Sequence, residues 1–504
     1  MPVSAHDLFL LSPILILLAG AALAVMADLF TPTRDAGLLP FISLGSLAAA
    51  AFVLAGLWGR PESAFGGALR VDGVAVFAGL TVVAATALSV LMSASYTRAA
   101  GVDFGEYHAL MLTAGSGALL LTQAGDLMSA FLGIEVLSIP VYCLVAITRD
   151  REKSVEAAVK YFILGAFATG FLLFGVALLY GAVISQPTAA STSAQAALLS
   201  LESVGRVPFD NPLLLAGLGM FLIGTGFKIG AVPFHGWVPD AYEGAPAPVT
   251  GFMAAVVKVA AFTFLLRAGM VAFPSLGATW GAVLFLIAAA TMIVGNVFAL
   301  AQTNLKRLLA YSSIGHTGYV LVGVIVSSEN PSSGSSVLFY LAAYAVTTVG
   351  SFGLISLLAR PGDELETISS FSGLAARRPG AAAAMTLFMA SLAGIPPTAG
   401  FMGKFVVFRE AIEHASGPSP DASRFLWLAV IGIGTSMIAA YYYLKIVVAM
   451  YMKPAEKGEE HPVGADAWGA GLALTLTAAG TLLLGVFPQP VIEWSARALA
   501  ELLN

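Results

Sequence analysis

Fourteen times in 504 residues this sequence runs for about twenty positions with scarcely a charge. A helix needs ~20 apolar residues to cross the hydrocarbon of a bilayer. The segments are 8–29, 38–57, 73–96, 106–124, 127–148, 155–184, 212–240, 246–271, 277–301, 307–327, 335–359, 380–410, 424–452 and 465–487. Charged residues make up only 11% of the chain, against about 25% in a soluble domain. The mean hydropathy is +0.88. The expectation is an all-α polytopic membrane protein of about 14 transmembrane helices. A cytosolic enzyme, a disordered scaffold and a nucleic-acid binder are excluded. The loops are short, and no segment reads as a separate soluble domain. The longest, 185–211, is rich in Ser, Ala and Pro and reads as a surface excursion. Only His6 and Asp7 precede the first segment as titratable groups, so it is expected to be a retained helix and not a cleaved signal peptide.

Loop charge sets orientation. Fourteen spans place both termini on one side. Twelve of the twenty-four basic residues then share the opposite side: Arg34, Arg98, Arg149, Arg151, Lys153, Lys306, Arg307, Arg360, Arg377, Arg378, Lys453 and Lys457. Seven share the side of the termini: Arg60, Arg70, Arg206, Arg267, Arg409, Arg424 and Arg497. Twelve against seven places both termini outside the cytoplasm.

Five lysines remain, and all fall within spans: Lys160, Lys228, Lys258, Lys404 and Lys445. A lysine at the bilayer centre costs at least ~2.5–3.5 kcal/mol. Lys258 lies 12 residues beyond Pro246, ~18 Å along a helix and close to the midplane. Lys228 lies 16 residues beyond Pro212, ~24 Å along if the helix is straight. Lys404 lies 24 residues into a segment too long for one straight span. Charge transfer is the reading for these three. Lys160 and Lys445 sit near the ends of their spans, where snorkelling to the headgroups is the simpler reading. Lys160 also has Glu156 four residues earlier as a helix-face partner. Glu135 is a deep acid, nine residues past Asp126 and ~13 Å along its helix. Together with a deep lysine it makes either a static ion pair or a pair that holds and releases a proton.

Two spans carry helix-breaking chemistry. FLIGTGFKIGAVPFHGWVP (221–239) includes Gly230 and Pro233, and SLAGIPPTAGFMGKF (391–405) includes Pro396 and Pro397. Breaks at membrane depth are tolerated only where freed backbone groups face protein or a wet cavity. Paired breaks mark transporters with internal repeats. These breaks are in spans seven and twelve. The odd separation of five implies inverted repeats, spans four to eight and nine to thirteen. The organisation is then three N-terminal helices (1–105), repeat one (106–271), repeat two (277–452), and a C-terminal helix and tail (465–504).

Ser312, His316 and Tyr319 fall on one helical face, with His316 mid-span. His316 and Tyr319 are candidate relay groups, with a histidine satisfied by a hydroxyl as the alternative. His235, within the first break, is another candidate. Lys160 and Lys445 complete the relay candidates. The run Tyr441–Tyr443 reads as packing and interface anchoring. GxxxxGK[ST], GxGxxG and HExxH motifs are all absent, so no nucleotide site and no metal site is expected. The single cysteine, Cys143, cannot ligate an iron–sulfur cluster alone.

FHGWVPDAYEGAPAPVTGF (234–252) resembles a signature of the antiporter-like membrane subunits of respiratory complex I, and among them the N-type. LGIEVLSIPVYCLVA, VKYFILGAFATGFLLFG, NLKRLLAYSSIGHTGYVL and GIPPTAGFMGKF are also similar to N-type blocks, and the resemblance covers nearly the whole chain. The M-type members carry an acid where this chain has Lys404, and the L-type members add a long lateral helix that this sequence lacks. The resemblance implies proton translocation coupled to NADH:quinone oxidoreduction in partner subunits. Glu135 matches the span-five glutamate, Lys228 its span-seven partner, Lys258 the central lysine, and Lys404 the terminal exchanging group. His316 matches a family histidine. The resemblance further implies that NADH, flavin, iron–sulfur clusters and quinone sit on partner subunits, with no cofactor on this chain. The implied partners are other membrane-arm subunits, including neighbouring antiporter-like ones, together with lipids and protons, and no nucleic acid. The implied location is a bacterial inner membrane, with both termini periplasmic. The rivals are a subunit of a multisubunit sodium/proton antiporter, an N-type subunit of a related complex with another electron donor, and a passive spacer. The YEGAPAPVT block favours the N-type, and the deep ionisable groups oppose a spacer.

Overall fold

The computed structural model describes residues 3–30, 37–102, 104–186, 199–273, 276–358, 366–417, 422–454 and 468–503. Arg34, Arg360 and Lys457 of the charge count lie outside these residues. Among those described, twelve helices are long and apolar enough to cross a membrane. The other two of the fourteen expected spans are Gly105–Thr122, short and less apolar, and span twelve, which is split. The chain is a multi-pass, all-α membrane protein. Its one small departure among the described residues is a hairpin, Glu62–Ala64 paired antiparallel with Leu69–Val71, between spans two and three.

Helix starts follow local chemistry. Asp72 accepts from the Ala75 amide at 2.9 Å, Asp126 from Ser129 at 2.6 Å, and Asn304 from Arg307 at 3.0 Å. Asn211 caps span seven with Pro212 behind it, where a missing amide costs nothing. These caps orient spans three, five, seven and ten, which carry or brace the deep charges.

Ion pairs between loops test how the spans alternate. Lys153 reaches Glu366 at 2.9 Å and Glu243 at 3.6 Å, Arg151 pairs with Glu366, and Arg307 holds Asp240 at 2.8 Å and Glu243 at 3.0 Å. These residues come from the connections after spans five, seven, nine and eleven, so those share one face. On the face of the termini, Arg70 meets Glu202 at 2.5 Å, and His414 meets Glu329 at 2.8 Å. The alternation of fourteen spans therefore holds at both faces.

Burial sorts the helices into centre and rim. Over their most apolar stretches, Ala247–Val271, Leu305–Glu329 and Pro331–Leu358 are 100%, 94% and 83% buried within the chain. Spans eight, ten and eleven thus form a core shielded from lipid, where ionisable groups are tolerated. Span eight is not a uniform α-helix. Met253–Val257 is a π-helical stretch ending directly at Lys258, and such stretches concentrate at functional sites. The C-terminal tail is itself a helix, Gln489–Leu503, packed across the start of span three.

Candidate functional site

The two breaks share one local geometry. Pro212–Ile229 ends at Gly230, with φ +73°, and Pro379–Ala393 ends at Gly394, with φ +87°. Only glycine adopts that left-handed conformation without strain. In each, two hydrogen bonds close the helix end: Ala231 N to Gly226 O (2.8 Å) with Gly230 N to Phe227 O (3.0 Å), and Ile395 N to Ala390 O (2.9 Å) with Gly394 N to Ser391 O (3.0 Å). This is the Schellman pattern, which satisfies two of the four terminal carbonyls. A cis proline bond follows at the same offset in each, Val232–Pro233 and Pro396–Pro397. A second helix then resumes, Trp237–Gly244 in span seven and Ala399–Ala415 in span twelve.

The remaining carbonyls explain where the lysines go. Lys404, buried, donates to Leu392 O at 2.9 Å, Ala393 O at 3.0 Å and Ser436 Oγ at 2.6 Å. Its ammonium thus closes the negative end of the first half of span twelve, a favourable place for a cation. At the first break the equivalent carbonyl, Ile229 O, accepts from Thr317 Oγ1 at 2.8 Å. Thr317 Oγ1 in turn lies 2.7 Å from Lys258 Nζ, which also donates to Ser313 O at 2.5 Å. So Lys258 through Thr317, and Lys404 directly, serve corresponding helix ends. Lys228 sits inside the last turn before its break, which is why it and Lys404 fall on opposite sides of their prolines in sequence.

Glu135 and Lys228 are brought near each other without an ion pair. Lys228 Nζ donates to Ser138 Oγ at 2.5 Å, one turn beyond Glu135, and Thr169 donates to Glu135 Oε1 at 2.9 Å. A void of about 10 Å³, lined by Ser138, Tyr142, Thr169 and Lys228 among others, has room for about one water. The expected direct contact is replaced by hydroxyls, because Ser138 occupies the position that faces Lys228.

Each deep lysine also lies over a tyrosine ring: Lys228 over Tyr161 at 5.9 Å, Lys258 over Tyr344 at 5.7 Å, and Lys404 over Tyr319 at 5.0 Å. A buried cation over an aromatic face gains ~0.5–2 kcal/mol. Among the described residues, no carboxylate forms an ion pair with any of the three.

His316 connects the centre to span twelve. Its Nδ1 is 2.6 Å from Tyr340 Oη, its Nε2 is 3.4 Å from Tyr443 Oη, and its ring lies 5.0 Å from Tyr344. Tyr344 donates to Ser313 Oγ at 2.9 Å, beside Lys258. A second 10 Å³ void is lined by His316, Tyr340, Tyr344, Thr347, Ser391 and Leu392, next to the carbonyls that hold Lys404. Ser312 and Tyr319 share the expected face: Ser312 bonds Tyr443, and Tyr319 Oη accepts from Asn296 at 3.0 Å.

Other expectations fared differently. Lys160 pairs with Glu156 at 2.7 Å and Asp240 at 3.2 Å, half-exposed at the end of its span. Lys445 makes no hydrogen bond or ion pair among the described residues. His235 is half-buried, its Nδ1 is unbonded, and no hydrogen bond joins it to a lysine among the described residues. The tyrosine run is not mere anchoring: Tyr442 donates to Asn296 Oδ1 at 3.0 Å and Tyr443 bonds Ser312, while only Tyr441 faces outward.

Sequence reasoning missed two buried cations by counting them with the loop charges. Lys306 is fully buried and donates to Ala245 O at 2.9 Å, beyond the second half of span seven. Arg267, also fully buried, holds Asp72 through two bonds of 2.5 and 2.8 Å, tying span eight to the start of span three. Both sit within a turn or so of a span end, where hydropathy alone does not separate buried from exposed.

The description NADH:quinone oxidoreductase/Mrp antiporter, transmembrane, matches residues 124–420. A curated relative from Trichlorobacter lovleyi, NADH-quinone oxidoreductase subunit N, is 41% identical over 475 residues, covering 94% of this chain and 93% of its own. The chain belongs to the subunit N family. A subunit N from Chloroflexus aggregans is 41% identical across 98% of both chains. Among solved structures, a chain of Thermus thermophilus respiratory complex I with bound aureothin is 32% identical, with TM-score 0.77, covering 96% of this chain and 99% of that one. A chain of the Mrp complex from Dietzia sp. superimposes with TM-score 0.82 at 22% identity, a likeness of fold alone. Fold does not separate subunit N from the Mrp antiporters, whereas full-length identity to subunit N chains does.

Proposed function

We propose that this chain carries protons across a bacterial inner membrane as the N-type, antiporter-like subunit of an NADH:quinone oxidoreductase. One observation carries the reading of the site. Three buried lysines are held by hydroxyls and carbonyls and not by carboxylates. Stranding one member of a buried ion pair costs ~3–5 kcal/mol. An ammonium on neutral acceptors loses its proton without leaving such a counter-charge behind, which a static structural pair cannot do.

In this reading Lys258 holds the central proton. Lys258 donates to Ser313 O, and toward span twelve follow the Ser313 hydroxyl, Tyr344, His316 and Tyr340, groups that both donate and accept. The proton passes along that row to Lys404 and leaves toward the face of the termini, which the charge count assigns to the periplasm. The state of Glu135 and Lys228 biases the proton affinity of Lys258. The spans divide into two inverted repeats, four to eight and nine to thirteen, which the matched breaks support. Electron transfer belongs to partner subunits carrying NADH, flavin, clusters and quinone, and this chain carries no redox centre.

The test is Lys258→Gln in the assembled complex, with proton uptake into vesicles and quinone reduction measured separately. Pumping per NADH should fall sharply. Wild-type pumping in an assembled variant would remove Lys258 from the path.

A further inference from the structure

A cavity of about 600 Å³, with no lysine in its lining, opens between spans two and three on one side and spans eleven and fourteen on the other. Its walls are helices two, three, eleven and fourteen, and Trp494 of the C-terminal helix stands at its mouth. The space exists because alanines face it: Ala48, Ala51, Ala84, Ala87, Ala342 and Ala345. The single hydroxyl on its wall, Thr81, is bonded to Phe77 O at 2.9 Å. Apart from the indole N–H of Trp494, the lining offers no free polar group, so an apolar occupant fits.

Depth and width admit a hydrocarbon chain. Along span three the lining runs from Leu80 to Leu88, eight residues or ~12 Å. Spread over ~12 Å, 600 Å³ leaves a cross-section of ~50 Å². That is wide enough for an acyl chain, and the chemistry at the mouth decides for a lipid over a partner helix.

The mouth carries the complementary chemistry for a headgroup. Trp494 and Trp58 lie 5.4 Å apart at the face of the termini, and paired tryptophans mark the headgroup level. Arg60 follows Trp58 by two residues, and Arg497 follows Trp494 by one turn. Both are exposed, and among the described residues neither forms an ion pair with a carboxylate. The C-terminal helix is fixed in place, since it packs so closely on Gly73 that an added Cβ would lie 2.6 Å from Ala498 Cα.

We propose that this groove binds one anionic phospholipid, with an acyl chain along the alanine wall and its phosphate at Arg60 and Arg497. The lipid wedges the N-terminal helices against repeat two, and it enters from the leaflet on the side of the termini.

The test uses the whole complex in vesicles doped with phosphatidylglycerol bearing a photoactivatable acyl chain, or with the matching phosphatidylcholine. Labelled peptides are then mapped by mass spectrometry. Peptides spanning 80–88 and 342–346 should be labelled by phosphatidylglycerol in preference. Each juxtamembrane arginine is worth about fivefold in binding anionic lipid, so the double variant Arg60→Ala/Arg497→Ala should bring the two lipids close to parity. Ala84→Phe fills the groove and should abolish its labelling while leaving labels elsewhere. Equal labelling by both lipids in the wild type would overturn the proposal. So would groove labelling that survives in Ala84→Phe, or capture of a protein segment there. If Ala84→Phe does not assemble, the surface arginine variant decides alone.

Discussion

Replacing Lys404 by arginine separates a proton-exchanging group from a fixed charge. In the structure all three protons of the ammonium are used, on Leu392 O, Ala393 O and Ser436 Oγ at 2.6–3.0 Å. Arginine keeps the charge and offers donors to the same carbonyls, so a purely structural role survives the change. Deprotonation does not. A guanidinium ionises ~2–3 pH units above an ammonium, and at ~1.4 kcal/mol per unit that adds ~3–4 kcal/mol to making the neutral form. The exchange step should slow by about 10²–10³. The larger head also brings buried N–H groups without acceptors, at ~1–3 kcal/mol each, so assembly must be checked on native gels. Lys404→Met is the companion, losing both charge and the carbonyl contacts. The assay is NADH-driven acidification of proteoliposomes alongside quinone reduction. Arg and Met should lower the proton-to-electron ratio almost equally, with Lys445→Arg as an unaffected control. Wild-type pumping by Lys404→Arg beside failure of Lys404→Met would show that Lys404 supplies only charge.

The pair in spans five and seven should depend on its hydroxyl as well as its carboxylate: Ser138→Ala and Glu135→Gln should each reduce pumping in assembled complex, and a normal Glu135→Gln would break the coupling assigned to it. Burial alone would push the Asp72 carboxyl up, but Arg267 beside it holds it below the ordinary carboxylate range. The stabilisation from that pair is therefore full above the unfolded value of ~3.9 and is lost as pH falls through the lowered folded value. Asp72→Asn should cost ~3–5 kcal/mol near pH 7, read as a drop in thermal stability of the purified complex, and an unchanged midpoint would contradict the burial of Arg267. Cysteines at Asp150 and Arg206 should be labelled from the cytoplasm and the periplasm respectively, and reversed labelling would invert the direction of the proton path.

The helices were legible because lipid imposes a length and forbids charge, and fourteen segments satisfy both rules. The deep lysines were legible for the same reason, since an ammonium at that depth has no inexpensive explanation. Their partners were not. The acceptors of Lys258 and Lys404 include backbone carbonyls, Ser313 O, Leu392 O and Ala393 O, and a carbonyl leaves no mark on sequence. Ser138 was hidden for a different reason: a hydroxyl within a span can bond its own helix, as Ser138 also does to Ile134 O. Lys306 and Arg267 were misplaced because their sequence neighbourhoods resemble loop edges. Only the packing of Ala245 on span ten and of Asp72 on span eight buries them.

The geometry at span twelve also says why a break and a lysine belong together. A continuous helix would bond Leu392 O and Ala393 O internally, leaving no acceptor for a buried ammonium. The Schellman end at Gly394 frees those two carbonyls and points them at Lys404. A protonated lysine satisfies both carbonyls and Ser436, whereas a neutral amine has one donor fewer. Losing the proton leaves two N–H donors for the carbonyls and a lone pair that accepts from the Ser436 hydroxyl. That turns the Ser436 hydroxyl, which otherwise donates to Ala393 O at 3.3 Å. In the proposed path, each proton lost or gained at Lys404 thus reorders the hydrogen bonds at the end of a half-helix. The same holds at the first break, where Ile229 O is shared through Thr317 with Lys258. Charge and helix-end hydrogen bonding are joined at both breaks, as the proposed coupling of proton movement to distant electron transfer requires.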